Sequence, residues 1–193
     1  MPTYEYGRIK VLADNLATAG VPEEIAARIM EGGEDIRKDA RPERKARWIA
    51  QAMHRMDELL DADTRHAIRQ GCACCLGGDR LKLSKAIARD HDNLADRLAA
   101  ANATPKVFGY SVTETDDGRI LVSFFPEGQE HYRCVCLPKA EGPISITYCY
   151  CCGGHVKHHL QTALGRKLEM QVRSSAPASA GQEPCTFLLK VVE

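Results

Sequence analysis

The sequence carries no charge excess. Lysine and arginine together number 26, aspartate and glutamate also 26, and the net charge near pH 7 is zero. A nucleic-acid-binding surface normally shows a basic excess, so no nucleic-acid partner is expected. The one basic cluster, "RKDARPERKAR" at 37 to 47, is interleaved with acids and reads as a solvated helix face. No run approaches the ~18 apolar residues that a membrane span needs, so no membrane partner is expected. The opening "MPTYEYGRIKVLADNL" lacks a basic region followed by an apolar one, and therefore reads as no secretory signal. His-Glu-x-x-His, Gly-x-Ser-x-Gly and a phosphate-binding glycine loop are also missing, so no catalytic residue is assigned. These absences make the cytoplasm the expected compartment.

What is present is sulfur. Nine cysteines in a reducing compartment point to metal or thiol chemistry rather than disulfides, and an odd number cannot all pair internally. Six of them fall in two similar segments, "CACCLGG" at 72 to 78 and "CYCCGGHVKHH" at 149 to 159. Each reads Cys-x-Cys-Cys and runs into Gly-Gly. The outer cysteines of each, Cys72 with Cys75 and Cys149 with Cys152, form a C-x-x-C pair. Two such pairs supply the four sulfurs of a tetrahedral zinc site. Zinc on Cys72, Cys75, Cys149 and Cys152 is the leading expectation, with Cys74 and Cys151 as further metal ligands. An iron–sulfur cluster is the weaker metal alternative, because the C-x-x-C-x-x-C run of bacterial ferredoxins is missing. The adjacent thiols Cys74-Cys75 and Cys151-Cys152 also suit a redox or soft-metal sensor. A helix opening after Gly153-Gly154 would lower the Cys152 pKa through its dipole.

At about 100° per residue, His155 and His159 fall beside the apolar stripe of Val156, Leu160 and Ala163, while His158 points to solvent. His155 and His159, with Cys134 and Cys136, are the candidate residues for holding a small molecule. Hydrogen bonding of both histidines to backbone is the alternative. His91 lies on the Ile87–Leu94 stripe and reads as a core residue.

With 44% apolar residues the chain can bury a core without metal staples. Residues 1–70 read as a helical segment, and residues 71–193 as a cysteine-rich α+β domain. Leu12 and Leu16 mark a first helix ending near Gly20; Pro22 with Glu23 and Glu24 starts a second. From Pro42, the residues Ile49, Met53, Met56 and Leu60 form one helix stripe. Asp63 would cap a short helix that Gly71 stops. After Gly77-Gly78, Leu83, Ile87, Leu94 and Leu98 predict one long helix. The period then changes. "VFGYSVTETDDGRILVSFF" predicts two strands turning at Asp116-Asp117-Gly118, and "HYRCVC" alternates as a strand with Tyr132, Cys134 and Cys136 on one face. A helix from about His155 to Leu164, strands "LEMQVRS" and "CTFLLKVV", and a loop "SSAPASAGQEP" complete the chain. Helices first and a mostly antiparallel sheet second give an α+β fold.

From Gly153 to Val192 the chain resembles the 4-vinyl reductase domain and the related thiazoline-carboxylate hydrolase-like families. These end in a helix, a Leu-Gly turn, a strand, a Gly-containing loop and a Cys-x-Phe strand. Here those features are "HVKHHLQTALG", Leu164-Gly165, "KLEMQV", Gly181, and Cys185-Thr186-Phe187. Gly181-Gln182 stands where the family usually has Gly-Asp, and Pro177 where an additional cysteine is often found. The resemblance implies helices around an antiparallel sheet, a small and often apolar ligand, and a homodimer as a common state. The expected function is therefore a cytoplasmic zinc-binding protein that binds or senses a small molecule. A metal-dependent hydrolase using His155 or His159 to move a proton is an alternative, as is the thiol-based redox or soft-metal sensor.

Overall fold

The computed structural model describes residues 3–124 and 131–192. The fold is α+β. Six helices come first: α1 (Gly7–Thr18), α2 (Glu23–Met30), α3 (Pro42–Leu59), α4 (Ala62–Gly71), α5 (Gly78–Asp90) and α6 (Leu94–Asn102). A single helical turn, α7 (Pro105–Phe108), leads into β1 (Ser111–Glu114) and β2 (Ile120–Ser123). A 3-10 turn, Ile146–Cys149, then feeds α8 (Tyr150–Leu164), followed by β3 (Lys167–Ser174) and β4 (Thr186–Val192). The strands form one antiparallel sheet in the order β1-β2-β4-β3, with Ile120 opposite Leu189 and Met170 opposite Leu189 on its other side.

The apolar stripes place these elements. α3 buries Ile49, Met53 and Met56 as its spacing requires. β3 alternates as expected, with Leu168 and Val172 buried and Glu169 and Gln171 exposed. Five local expectations differ. Asp61, not Asp63, caps α4, accepting from Thr64 N–H at 2.9 Å. The long helix after Gly78 is two helices, because Asn93 caps a new start by accepting from Asp96 N–H at 2.9 Å. His91 sits in that break, half-exposed, with its carbonyl accepting from Arg97 Nε at 2.9 Å. Val107 and Phe108 belong to a helical turn rather than to the first strand, because Pro105 presets the turn. Finally, "HYRCVC" is not a strand; its backbone is open chain with Leu137 N–H donating to Cys134 C=O at 3.2 Å. The end of the second expected strand, Phe125, lies outside the described residues. In the basic cluster only residues 42–47 are helical, and Arg37, Lys38, Arg41, Arg44 and Arg47 are exposed.

α8 is the hub. It packs against β3 on one side and against α4 and α5 on the other, with Val156, Leu160, Ala163 and Leu164 fully buried. Burying each of the larger aliphatic chains contributes about 1.5–3 kcal/mol. The buried core is one continuous cluster, running from Ile9 and Leu12 in α1 to Phe187 and Leu189 in β4. A polar brace fastens the start of the hub: Thr147 Oγ1 donates to Asp57 at 2.7 Å, and Arg65 pairs with the same carboxylate at 3.1 Å. The His66 and Tyr150 rings stack with centroids 3.7 Å apart.

Two glycines let α8 approach its neighbours. A Cβ on Gly154 would stand 2.4 Å from the carbonyl oxygen of Gln70 in α4; one on Gly153 would meet the flexible end of Met170 at 2.2 Å. Backbone cannot yield as a methionine tip can. Gly154→Ala should therefore destabilise the protein by about 1–3 kcal/mol of overpacking, despite alanine's better helix propensity. Gly153→Ala should change stability by less than about 1 kcal/mol. Urea denaturation of both variants checks the contrast, and equal losses would show that the α4–α8 approach is not the tight contact.

Candidate functional site: a thiol cleft at the start of the hub helix

Three separate chain segments bring cysteines to one place. The first is the exit from α4. Cys72 caps that helix, donating its N–H to the Ile68 and Arg69 carbonyls, and the next residues run as open chain with Cys75 in the left-handed region at φ 61°. The second is the open segment from His131 to Ala140, tied down by Tyr132 N–H donating to Gly181 C=O at 3.1 Å and Arg8 Nη1 donating to Cys136 C=O at 2.5 Å. The third is the first turn of α8. That helix begins at Tyr150, before the expected start near His155, so Cys151 and Cys152 are helical residues.

Cys136 is the meeting point. The thiols of Cys134, Cys152 and Cys74 hydrogen-bond to its sulfur, holding the Cys136 pKa far below the ordinary thiol range. The partners respond in the opposite sense. Cys74, Cys134 and Cys152 are raised, each chiefly because its proton is shared with Cys136. Cys152 is thus raised, not lowered as a helix dipole predicts, because its hydrogen bonds to Cys136 and Cys151 and its burial all favour the thiol. The Cys151 thiol is lowered from an ordinary 9.0 to about 6; a hydrogen bond from Cys152 is the largest cause, burial opposes it, and Arg69 adds to it.

The expected quartet does not converge. Cys149 is buried on the sheet side, its Sγ 2.9 Å from Ser175 Oγ, and it hydrogen-bonds to Cys185. Cys185 in turn accepts from Ala176 N–H at 3.3 Å. Cys72 turns toward α1, with Sγ 4.0 Å from the Val11 carbonyl, and burial raises its pKa. Cys75 is exposed and hydrogen-bonds to Cys74. The reason lies in the local backbone. Cys72 ends one helix and Cys149 ends the 3-10 turn before another, so neither pair sits on the isolated bend that makes C-x-x-C thiolates converge. Among the described residues, no three histidine, cysteine, aspartate or glutamate side chains stand as a formed metal-ligand set.

The two histidines act on backbone. His155 Nδ1 is 3.1 Å from the Cys74 carbonyl and its Nε2 is 3.1 Å from the Val107 carbonyl. His159 Nε2 is 3.0 Å from the Cys75 carbonyl, with Nδ1 2.9 Å from Ser84 Oγ. Burial lowers both pKa values, while the carbonyls they face push the other way. His155 and His159 therefore hold the Cys74-Cys75 loop against α8. His158 is half-buried, with an Nε2 that has no partner among the described residues, rather than facing solvent.

Two arginines, unremarked in the sequence, complete the surroundings. Arg69 is 6% exposed; its Nη2 donates to the Tyr148 carbonyl at 3.1 Å, and its Nε has no partner among the described residues. Its charge acts on Cys151, Cys72 and Cys152. Arg8 reaches the same group from α1 and bonds the Tyr148 hydroxyl at 3.4 Å. An arginine on a helix stripe between Arg65 and Cys72 carries no signal that it will be buried beside thiols. The thiols line a cleft of about 330 Å3 whose other wall is apolar, with Val107, Tyr110 and Phe124. A larger hollow, about 770 Å3, lies beyond the 131–142 segment and shares Tyr132 and Cys134 with it.

The fold and the cleft define an α+β protein with a convergent thiol site beside an apolar hollow. The chain belongs to a family of unknown function, DUF6144, whose pattern it matches over residues 8–193. No curated protein matches the sequence. Among the described residues, no helix is long and apolar enough to cross a membrane.

A depressed folded-state pKa stabilises the native protein fully above the unfolded value and loses that contribution as pH falls through the folded one. For metal-free protein, the Cys151 contribution should therefore be complete above pH 9 and disappear as pH falls through about 6. A titration of thiolate ultraviolet absorbance should show an ionisation near pH 6 that Cys151→Ser removes. An unchanged titration curve in that variant would refute the assignment.

Proposed function

We propose that this protein is a cytoplasmic zinc-thiolate protein that binds or senses a small molecule in the cleft beside its metal. The observation that carries the reading is the convergence of Cys74, Cys134 and Cys152 on Cys136 from three chain segments. A tetrahedral zinc bonded at about 2.3 Å holds its sulfurs roughly 3.8 Å apart, so the four thiols, which form no metal-ready group as they stand, would have to draw together around it. Replacing the shared protons by one divalent ion turns the hydrogen-bonded group into a four-sulfur site with a net charge of about −2. The buried Arg69 and the nearby Arg8 offer the matching positive charge. Cys134 and Cys136 thus move from candidate ligand-binding residues to metal ligands, and Cys72 and Cys149 leave the set.

Zinc of this kind is structural and organises the cleft. The small-molecule part of the proposal extends the sequence resemblance of residues 153–192 to the end of the 4-vinyl reductase domain, and Cys185, one of the residues that carries it, borders the same cleft. A soft-metal sensor is the second reading, favoured by one observation: Cys75 and Cys151 line the cleft in addition to the four sulfurs that zinc needs. The hydrolase reading has less support, because the His155 ring lies between two backbone carbonyls and the His159 ring between the Cys75 carbonyl and Ser84 Oγ.

Protein purified without oxygen should contain about one zinc per chain, the complement of one four-sulfur site. Cys136→Ser should lose most of it, whereas Cys72→Ser and Cys149→Ser should retain it. Metal analysis by mass spectrometry, with cobalt substitution to read tetrahedral thiolate absorption, tests this. Zinc retained in Cys136→Ser and lost in Cys72→Ser would overturn the ligand set; copper or arsenic bound in preference to zinc would favour the sensor.

A further inference from the structure

We propose that the molecule taken up beside the thiols is an amphipathic anion, a carboxylate or sulfonate carried on an apolar body. This deepens the small-molecule reading above and rests on it.

The charges around the cleft are one-sided. Arg80 and Lys106 line it, and its lining contains no aspartate or glutamate among the described residues. Neither cation has an ion-pair partner there. Arg80 spends only its Nε, which donates to the Lys106 carbonyl at 3.3 Å, so its terminal N–H groups are free of protein acceptors among the described residues. That hydrogen bond sets the guanidinium against the Lys106 backbone, and both basic residues line the cleft. The sulfurs do not cancel them, because Arg8 and Arg69 already stand against the thiols. Among the described residues, Arg80 and Lys106 are therefore unmatched by any acidic side chain.

The remaining wall is apolar and incompletely covered. Tyr110 is 43% exposed and Val135 79% exposed, and Val107 and Phe124 continue the surface between them. A molecule with an anionic head on Arg80 and Lys106 and an apolar body against Tyr110, Phe124 and Val135 satisfies both halves. A neutral apolar molecule would leave the cations unmatched, and a small inorganic anion would leave the apolar wall wet. The volume, about 330 Å3, lies at the small end of the ~300–1,000 Å3 usual for such ligands.

The test uses full-length, metal-loaded protein and two fluorescent probes of similar shape. One is the anion 1-anilinonaphthalene-8-sulfonate; the other is the neutral N-phenyl-1-naphthylamine. The sulfonate should bind at one site, and the Arg80→Gln/Lys106→Gln double variant should weaken it by roughly tenfold or more, as expected for loss of charge-assisted contacts. Binding of the neutral probe should stay within about twofold, since its contacts are unaltered. Lys139→Gln, which alters the larger hollow, should change neither. The proposal is overturned if the double variant binds the sulfonate as tightly as the parent protein, if Lys139→Gln produces the loss instead, or if neither probe binds. Zinc content measured on the same samples separates the two readings. A charge-dependent probe site in protein that never held zinc would sink the metal assignment alone. Full zinc with no charge dependence would sink only this inference.

Discussion

The contact on which the arrangement depends is the approach of α8 to the end of α4. Gly154 lies so close to the Gln70 carbonyl that no side chain fits between them. That proximity brings the first turn of α8 within reach of the loop leaving α4. It allows His155 and His159 to reach the carbonyls of Cys74 and Cys75, and it sets Cys152 opposite Cys74 around Cys136. A second Gly, Gly153, performs the corresponding service toward the sheet through Met170. The Gly-Gly pair after the second cysteine cluster is thus a packing device more than a turn. Its helical cost relative to alanine, about 1 kcal/mol for each residue, is outweighed by the contacts of the buried stripe that follows.

Polar groups buried around this contact are arranged in pairs that answer each other. Thiols share protons with thiols, the histidines meet carbonyls, and Thr147 and Arg65 share the Asp57 carboxylate. Arg69 Nε and His158 Nε2 are the exceptions among the described residues, and the first carries charge. A guanidinium removed from water with one N–H unanswered is costly, and the nearest groups able to take negative charge are sulfurs. That imbalance is the physical reason for reading the site as one that becomes anionic.

Much of the fold was legible from periodicity. The stripes of α3 and α8 and the alternation of β3 are strong signals, whereas the change from helical to strand period was expected at Val107, one helical turn before the sheet begins at Ser111. Capping was less legible, because Asp61 and Asp63 are equally good candidates until the chain direction is known, and Asn93 breaks a stripe that apolar spacing alone would continue. The site was legible in composition but not in pairing. C-x-x-C reports convergence only when the residues form a bend. Here the spacing is spread over the end of one helix and the approach to another, so Cys72 and Cys149 are carried to different sides of the core. Cys134 and Cys136 were undervalued for the complementary reason. Alternation suggested a strand, with its long separation of sulfurs, whereas open chain bends there and delivers both. The reach of Arg8 and the burial of Arg69 beside them depend on tertiary packing, which no local pattern records.

His155 has a mechanical consequence. The His155 ring stands between the loop after α4 and the turn of α7, its one imidazole N–H available to either the Cys74 or the Val107 carbonyl. Those two pieces border the same hollow, and α8, packed between the sheet and two helices, carries the ring. One jaw of the cleft is therefore a fixed anvil. The opposite jaw is the open chain from His131 to Ala140, which also partitions the two hollows and whose grip on the rest runs through sulfur, one arginine and a few backbone bonds. Tyr132 and Cys134 of that jaw line both hollows, so any displacement of it reshapes the two chambers at the same stroke.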